Sequence, residues 1–254
     1  RPGIISRGYG GHHPGPAPVR ADSDPAEVGD EPLLLARRAG VPVWIGRRRV
    51  QAGKGLLVAH PEVNVLLADD GLQHYALARD LEIAVVDGVR RFGNGWPLPA
   101  GPLREMPRRL DTVDAVVVHG GDADWLQVRA PVYRMQLEPK RLRHLRQADR
   151  TLPLDWLAGR QVQAVAGIGH PERFFTLLRS LGAEVRPHPF ADHHAFRERD
   201  LPEGTVVMTE KDAVKCAAFA RADDWFLEVD AVVDPGLQTR ILNRLSPRHG
   251  PETA

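Results

Sequence analysis

The sequence has little of several features that would assign it to a special class of protein. Cys216 is the only cysteine among 254 residues, so the chain forms no internal disulfide and no cysteine-based zinc site. No stretch approaches the roughly 20 apolar residues that span a bilayer, and the first residues carry no signal-peptide pattern. A cytoplasmic location is therefore the default expectation. Because the chain starts at Arg1 within an apolar run, we also expect a missing N-terminal segment.

The sequence also has little net charge. Lys and Arg total 34 against 33 acidic residues, which gives a formal net charge of +1. No global positive field therefore recruits nucleic acid or anionic lipid, and we expect no nucleic-acid partner. Any attraction for an anionic ligand must come from a local cluster of side chains.

Short apolar runs alternate with segments of helical periodicity along most of the chain. Such alternation predicts an α/β fold, with a mostly parallel sheet flanked by helices. A basic segment at 140–150 indicates the approach to a second α/β unit, so we divide the chain into 1–145 and 146–254. The runs predict strands at 3–6, 41–45, 63–68, 81–88, 114–120, 162–169, 205–212 and 226–233, and helices at 30–40, 47–60, 171–181 and 235–245.

Two segments rich in glycine and proline, 7–18 and 93–105, are predicted to be loops. The first is a candidate lid. The second lies between two predicted strands, and loops after the carboxyl ends of parallel strands form the ligand crevice of such sheets. We therefore look for site residues in these loops and at the predicted strand ends.

The strongest local pattern is the acidic pair Asp69 and Asp70 directly after the predicted strand at 63–68. Carboxylates at a strand end are typical Mg²⁺ ligands in phosphotransferases, because a hard cation prefers oxygen ligands on a rigid element. Gln73 and His74 add polar groups to the same loop. Alternatively, the acids only cap the turn, since Asp-Gly is a common turn pair.

Asp30 and Glu31 lie in the first turn of the predicted helix at 30–40. Asp30 is a candidate base for an attacking hydroxyl. The alternative for both acids is a favourable interaction with the helix dipole.

Two further groups of polar residues are candidates for the same site. Asp192 next to His193 and His194 is suited to orienting an imidazole or binding a metal, although an Asp-His-His cluster in a loop is more often a solvated turn. Arg104 and Glu105 end the second loop, where they form either a phosphate contact or an exposed ion pair.

Taken in order, these motifs resemble the lipid A 4'-kinase (tetraacyldisaccharide 4'-kinase) family. Each motif alone is weak, but the ordered set spans nearly the whole chain. The set consists of SRGYGG (6–11), VGDEP (28–32), DDGLQH (69–74), RFGNG with LPAGPLRE (91–105), DHH (192–194) and TEKD (209–212).

The resemblance implies a P-loop kinase core with a smaller C-terminal domain. It implies transfer of the ATP γ-phosphoryl group to the 4'-hydroxyl of tetraacyldisaccharide 1-phosphate, giving lipid IVA, with Mg²⁺ as cofactor and peripheral attachment to the cytoplasmic face of the inner membrane. The resemblance also assigns the residues. Asp30 would be the base with His193 as its partner, Asp70 and Asp69 would bind Mg²⁺, and Glu31, His74, Arg104 and Glu105 would line the nucleotide and substrate site.

Two rival functions remain open at this stage. The first is a metal-dependent hydrolase that gathers Asp69, Asp70, His74, Asp192 and His193 around one ion. The second is a non-catalytic module that binds lipid or nucleotide.

The phosphate-binding motif G-x-x-x-x-G-K-[ST] does not occur in the sequence, and AGKG at 52–55 falls within a predicted helix without a following Ser or Thr. The family places this motif upstream of residue 6. We therefore expect the purified 254-residue chain alone to show little or no kinase turnover, measured as ADP release with lipid acceptor. Clear turnover would contradict this expectation.

Overall fold

The computed structural model describes residues 1–147 and 149–245. Its strands are β1 (Pro2–Ser6), β2 (Ala17–Val19), β3 (Val43–Ile45), β4 (Val65–Ala68), β5 (Ile83–Asp87), β6 (Ala115–His119), β7 (Val132–His144), β8 (Thr151–Leu152), β9 (Gln161–Ala166), β10 (Glu184–Pro189), β11 (Val206–Thr209) and β12 (Asp224–Val233). Its α-helices are α1 (Pro25–Val28), α2 (Asp30–Arg38), α3 (Arg49–Ala59), α4 (Pro171–Ser180), α5 (Glu210–Cys216) and α6 (Pro235–Leu245).

The chain forms two compact units, each assembled from separate stretches of sequence. The first unit contains Arg1–Leu77 and Pro139–Val229, and the second contains Ala78–Glu138 with the described residues from 230 to 245. This grouping is discontinuous, whereas the predicted boundary at residue 145 divides the chain once. That boundary stays a prediction about the family's core and C-terminal domain.

The first unit contains a four-stranded sheet in the order β2-β3-β1-β4. Strand β1 pairs in parallel with β3 and β4, while β2 pairs antiparallel with β3. Helix α3 packs Ala52 and Leu56 against Ile5 of β1 and Val63, and all four side chains are buried. The carboxyl ends of β1 and β4 therefore lie side by side and present Ser6 next to Asp69.

A second sheet in the same unit has the parallel order β10-β9-β11-β12. Its core is apolar, with Phe175 and Leu178 of α4 packed against Ala164 of β9 and Leu227 of β12. The register places Met208 of β11 opposite Phe226 of β12. The chain then leaves β11 at Thr209 and enters α5 directly.

Helix α5 packs against α2 in the first unit. Val214 of α5 is buried in one cluster with Val28 and Leu33. At the edge of this contact, Arg38 donates from Nη1 to Glu210 at 2.7 Å. The packing brings the polar side chains of α5 next to the N-terminus of α2.

The second unit contains the parallel order β5-β6-β7. Ala115 and Val117 of β6 form a small core with Leu237 of α6. The loop at 93–105 has no helix or strand apart from an isolated bridge between Pro97 and Leu103, as predicted. Its Arg104 and Glu105 belong to this second unit.

The predicted α/β class with a mostly parallel sheet and flanking helices is confirmed, but several local predictions are wrong. The predicted buried strand at 63–68 is an edge strand, β4, and Leu67 is half exposed at 50%. The loop predicted at 7–18 ends at Pro16, because Ala17 and Pro18 join the edge strand β2. The strand predicted at 205–212 ends at Thr209, whose hydroxyl accepts from the Asp212 N–H and caps α5.

Other elements were not predicted. Strand β10 contains two prolines, and β7 extends through the basic residues of the predicted domain junction. Helix α1 is a single short turn capped by Asp24. Among the described residues, no helix is long and apolar enough to cross a membrane.

The α3 packing predicts unequal costs for two neighbouring leucines. Leu56 is fully buried whereas Leu57 is 39% exposed, so Leu56→Ala leaves a cavity and Leu57→Ala does not. We expect Leu56→Ala to lower the free energy of unfolding by about 2–5 kcal/mol and Leu57→Ala by less than about 0.5 kcal/mol. Urea denaturation of both variants measures the difference, and equal losses would contradict the assigned packing.

Candidate active site

Asp30 is held at the first turn of α2 and is 5% exposed. Gly29 before it has φ +90°, and a Cβ at this position would lie 2.5 Å from the Tyr9 carbonyl oxygen. Only glycine fits this conformation and this close approach. The Asp30 Oδ1 atom accepts from the Glu31 N–H at 2.9 Å, which fixes the carboxylate against its own helix.

His193 contacts Asp30 although the two residues are 163 positions apart. Its Nδ1 atom lies 3.1 Å from Asp30 Oδ1 and 3.2 Å from Oδ2. His193 has φ +58°, an uncommon backbone conformation for a residue other than glycine, and its ring lies 4.9 Å from that of Tyr9. The predicted acid–imidazole pair is therefore present as a direct contact.

Lys211 of α5 joins Glu31 of α2 to the adjacent residues Asp192 and His193. Its Nζ atom donates to Glu31 Oε1 at 2.9 Å and to Asp192 Oδ1 at 3.1 Å, and it lies 3.4 Å from His193 Nε2. With Lys211 as the donor at Nε2, these contacts assign the ring proton to Nδ1, from which it is donated to Asp30. Lys211 thereby orients the imidazole towards Asp30.

The charges around Lys211 shift two pKa values. Burial is the largest single influence on Lys211 and lowers its pKa, but the hydrogen bonds and charges of Glu31, Asp30 and Asp192 together outweigh burial, so the pKa of Lys211 is raised. Burial is also the largest single influence on Asp192 and raises its pKa, but the hydrogen bond and charge of Lys211 together with His193 outweigh burial, so the pKa of Asp192 is lowered. The ion pair between Lys211 and Asp192 contributes to both shifts.

Asp69 and Asp70 follow β4 as predicted. The Asp69 Oδ2 atom accepts from Ser6 Oγ at 2.8 Å, and Asp70 has φ +45°. Burial raises the pKa of Asp69, the Ser6 hydrogen bond opposes this shift, and the negative charges of Glu31 and Asp70 raise it further. The positive charge of Arg49, a buried residue of α3, lowers the pKa of Asp69.

These carboxylates fit a Mg²⁺ ion bound together with phosphates. The repulsion that acts on Asp69 from Glu31 and Asp70 is the kind that a divalent cation relieves. In the part of the chain that the structure describes, no group of three or more His, Cys, Asp or Glu side chains is arranged to hold a metal. Mg²⁺ commonly uses one or two protein carboxylates and takes its other ligands from water and substrate phosphates.

The remaining predicted residues have different surroundings. His74 lies in the turn after β4, where its backbone N–H donates to the Gly71 carbonyl oxygen at 2.9 Å. Glu105, in the second unit, lies 3.7 Å from Arg109, and Arg104 beside it is exposed. His194 contacts Asp200 at 3.2 Å and packs against the rings of Phe190 and Phe196, so it is turned to other partners than His193 beside it.

Sequence reasoning missed two lysines and an aspartate on α5 that complete the site. Lys211, Asp212 and Lys215 all lie on this helix, and Lys215 contacts Asp30. The TEKD motif contains the first two, and the spacing of four between the lysines places both on one helix face. That spacing would have indicated a basic face only if residues 210–216 had been predicted as helical.

Comparisons with known proteins agree with this geometry. The family model described as tetraacyldisaccharide-1-P 4'-kinase, LpxK, matches residues 1–246. The tetraacyldisaccharide 4'-kinase of Methylobacillus flagellatus is 52% identical, over 96% of this chain and 72% of the relative. That of Chromobacterium violaceum is 53% identical, over 98% and 76%.

A solved structure gives the same result at the level of the fold. The crystal structure described as the "apo" form of LpxK from Aquifex aeolicus in complex with ATP matches with a TM-score of 0.79 and 27% identity. The match covers 96% of this chain and 79% of that one. The fold and the site thus define an α/β kinase of the P-loop class. Within that class, the chain belongs to the tetraacyldisaccharide-1-P 4'-kinase family, as its motifs predicted.

The Lys211 contacts predict a measurable change at Asp192. In Lys211→Met the carboxylate loses its cationic partner, so we expect the pKa of Asp192 to rise. Carboxyl ¹³C NMR titration measures the shift, with the exposed Lys54→Met on α3 as a matched control.

The ion pair between Lys211 and Asp192 also makes the stability of the folded chain depend on pH in a definite direction. Because the pKa of Asp192 is lowered in the folded chain, its stabilising contribution is present above the ordinary value of 3.8 and is lost as the pH falls through the lowered value. An Asp192 titration that is identical in wild type and Lys211→Met would contradict the assigned ion pair.

Proposed function

We propose that the protein transfers the γ-phosphoryl group of ATP to the 4'-hydroxyl of tetraacyldisaccharide 1-phosphate, which gives lipid IVA in lipid A synthesis. Family membership over residues 1–246 supports this reaction. The observation in the site that carries the proposal is the contact between buried Asp30 and His193 at 3.1 Å. A fixed carboxylate next to an imidazole is suited to accepting a hydroxyl proton.

In the proposed reaction, Asp30 accepts the proton of the 4'-hydroxyl as the hydroxyl oxygen attacks the γ-phosphorus. One oxygen–phosphorus bond forms, the bond from the γ-phosphorus to the bridging oxygen breaks, and ADP leaves with the bonding electrons. His193 donates from Nδ1 to Asp30 and fixes its orientation. Lys211 holds the imidazole by its contacts at Nε2 and at Asp192.

Asp70 and Asp69 would hold Mg²⁺ at the carboxyl end of β4. The bound ion would neutralise charge on the phosphate oxygens during transfer. Ser6 donates to Asp69 and keeps that side chain in place for this purpose. Arg49 adds positive charge beside the pair.

Glu31, His74, Arg104 and Glu105 are proposed to line the nucleotide and substrate site. Glu31 supports this assignment through its contact with Lys211 and its influence on the pKa of Asp69. His74 is close in sequence to the proposed metal ligands. Arg104 and Glu105 retain the assignment that the family motif implies.

We also propose peripheral attachment to the cytoplasmic face of the inner membrane. An acceptor with four acyl chains resides in a bilayer, so the enzyme must meet it at the membrane surface. Such attachment requires an interfacial surface and no spanning helix.

The rival hydrolase is less well supported. It needs Asp192 and His193 as metal ligands together with Asp69, Asp70 and His74. Instead, His193 faces Asp30 and Asp192 faces Lys211. The rival non-catalytic module differs from the kinase in its response to a change at Asp30.

The base assignment predicts a large kinetic effect of one substitution. In the full-length protein, Asp30→Asn removes the proton acceptor but keeps the side-chain shape. We expect kcat to fall by about 10²-fold or more with little change in the KM for ATP. Asp24→Asn is the matched control, because Asp24 also starts a helix but only caps α1. Unchanged turnover in a folded Asp30→Asn variant would exclude Asp30 as the base.

A further inference from the structure

Lys215 is a nearly buried cation behind the proposed base. It lies on α5, one helical turn after Lys211, and its side chain is 10% exposed. Its Nζ atom lies 3.4 Å from Asp30 Oδ2 and 2.9 Å from Asp212 Oδ1. The Phe196 ring covers the ammonium group at 5.1 Å. The proposed mechanism does not yet use this residue.

Asp212 holds Lys215 in position from the same helix. Asp212 is fully buried, and its Oδ2 atom accepts from the Gly167 N–H at 2.8 Å and from Thr209 Oγ1 at 2.6 Å. The carboxylate is therefore fixed to two other elements of the first unit. Its other oxygen, Oδ1, faces the ammonium group of Lys215.

The contacts of Lys215 are ion pairs and not aligned hydrogen bonds. Neither Lys215 Nζ nor Asp212 Oδ1 makes a hydrogen bond of good geometry. The ammonium group thus acts on Asp30 mainly through its charge. At 3.4 Å it attracts the Asp30 carboxylate without occupying the Oδ2 lone pairs as a short hydrogen bond would.

Asp30 needs such a cation because it is buried. A carboxylate that is 5% exposed loses most of its hydration, and its burial costs free energy unless a partner compensates for the lost water. His193 compensates in part through its Nδ1 contact. Lys215 places its ammonium group 3.4 Å from the Asp30 Oδ2 atom.

We propose that Lys215, fixed by Asp212, is a positioning residue whose charge holds the Asp30 carboxylate in place for proton transfer. The inference rests on the proposed function, because it assumes Asp30 as the base. Lys215 acts through Asp30 and does not contact substrate. The pair Lys215–Asp212 is thereby part of the catalytic apparatus and not only of the core.

The test is steady-state kinetics of the full-length protein with ATP and the lipid acceptor. Lys215→Met keeps the length of the side chain but removes its charge, and Lys215→Arg keeps the charge. We expect Lys215→Met to lower kcat by about 10- to 100-fold with the KM for ATP changed less than about twofold. We expect Lys215→Arg to recover most of the lost rate.

A double variant separates a positioning effect from a structural one. If Lys215 acts through Asp30, Lys215→Met causes no further loss of kcat in the Asp30→Asn background. Lys215→Gln replaces Lys215→Met if the methionine variant does not fold. Arg221→Met is the matched control, because Arg221 pairs with fully buried Asp224 at the same i,i+3 spacing. It should lower the melting temperature and leave kcat unchanged.

Three results would overturn the inference. Wild-type kcat in folded Lys215→Met and Lys215→Gln would exclude an effect of the charge, while Asp30→Asn still lowers kcat and the proposed function stands. An equal loss from Lys215→Met in the wild-type and Asp30→Asn backgrounds would assign Lys215 to the core alone. Unchanged kcat in Asp30→Asn would overturn both the base assignment and this inference.

Discussion

The site depends on the packing of α5 against α2. Val214 is buried with Val28 and Leu33, and this apolar contact fixes the N-terminus of α2 against the polar face of α5. The burial of Asp30 and its distance of 3.4 Å from Lys215 both follow from this arrangement. Apolar burial thus provides the free energy that holds an otherwise costly group of buried charges together.

Local patterns in the sequence were sufficient for most elements of the fold. Helices α2, α4 and α6 have clear apolar periodicity or end signals, and the predicted ranges of these helices and of α3 agree with the structure to within about two residues. The strands that were not predicted are those in which pairing with neighbouring strands outweighs the local sequence pattern. Strand β10 carries two prolines at the end of a sheet, and the polar β7 is held by pairing with β6 and β8.

The site could be predicted only in part for a similar reason. Asp30, His193 and Asp69 were indicated by motifs of residue types that carry chemistry. Lys211 lies in the TEKD motif but was given no role, and Lys215 lies in no motif, because a lysine on a short helix is usually solvated and the burial of both results from tertiary packing. Asp30 and His193 are 163 positions apart, and no local feature of the sequence predicts their contact.

The discontinuous first unit has a consequence for synthesis on the ribosome. Its strands β1 to β4 are translated early, but the segment that carries His193 and α5 emerges only after Ala78–Glu138 has been made. At about 5–20 residues per second, the 163-residue interval between Asp30 and His193 takes about 10–30 s. During this time Val28 and Leu33 can pack against Val43 and Ile45 but lack Val214, so the contact between α2 and α5 that positions Asp30 forms only after α5 has emerged.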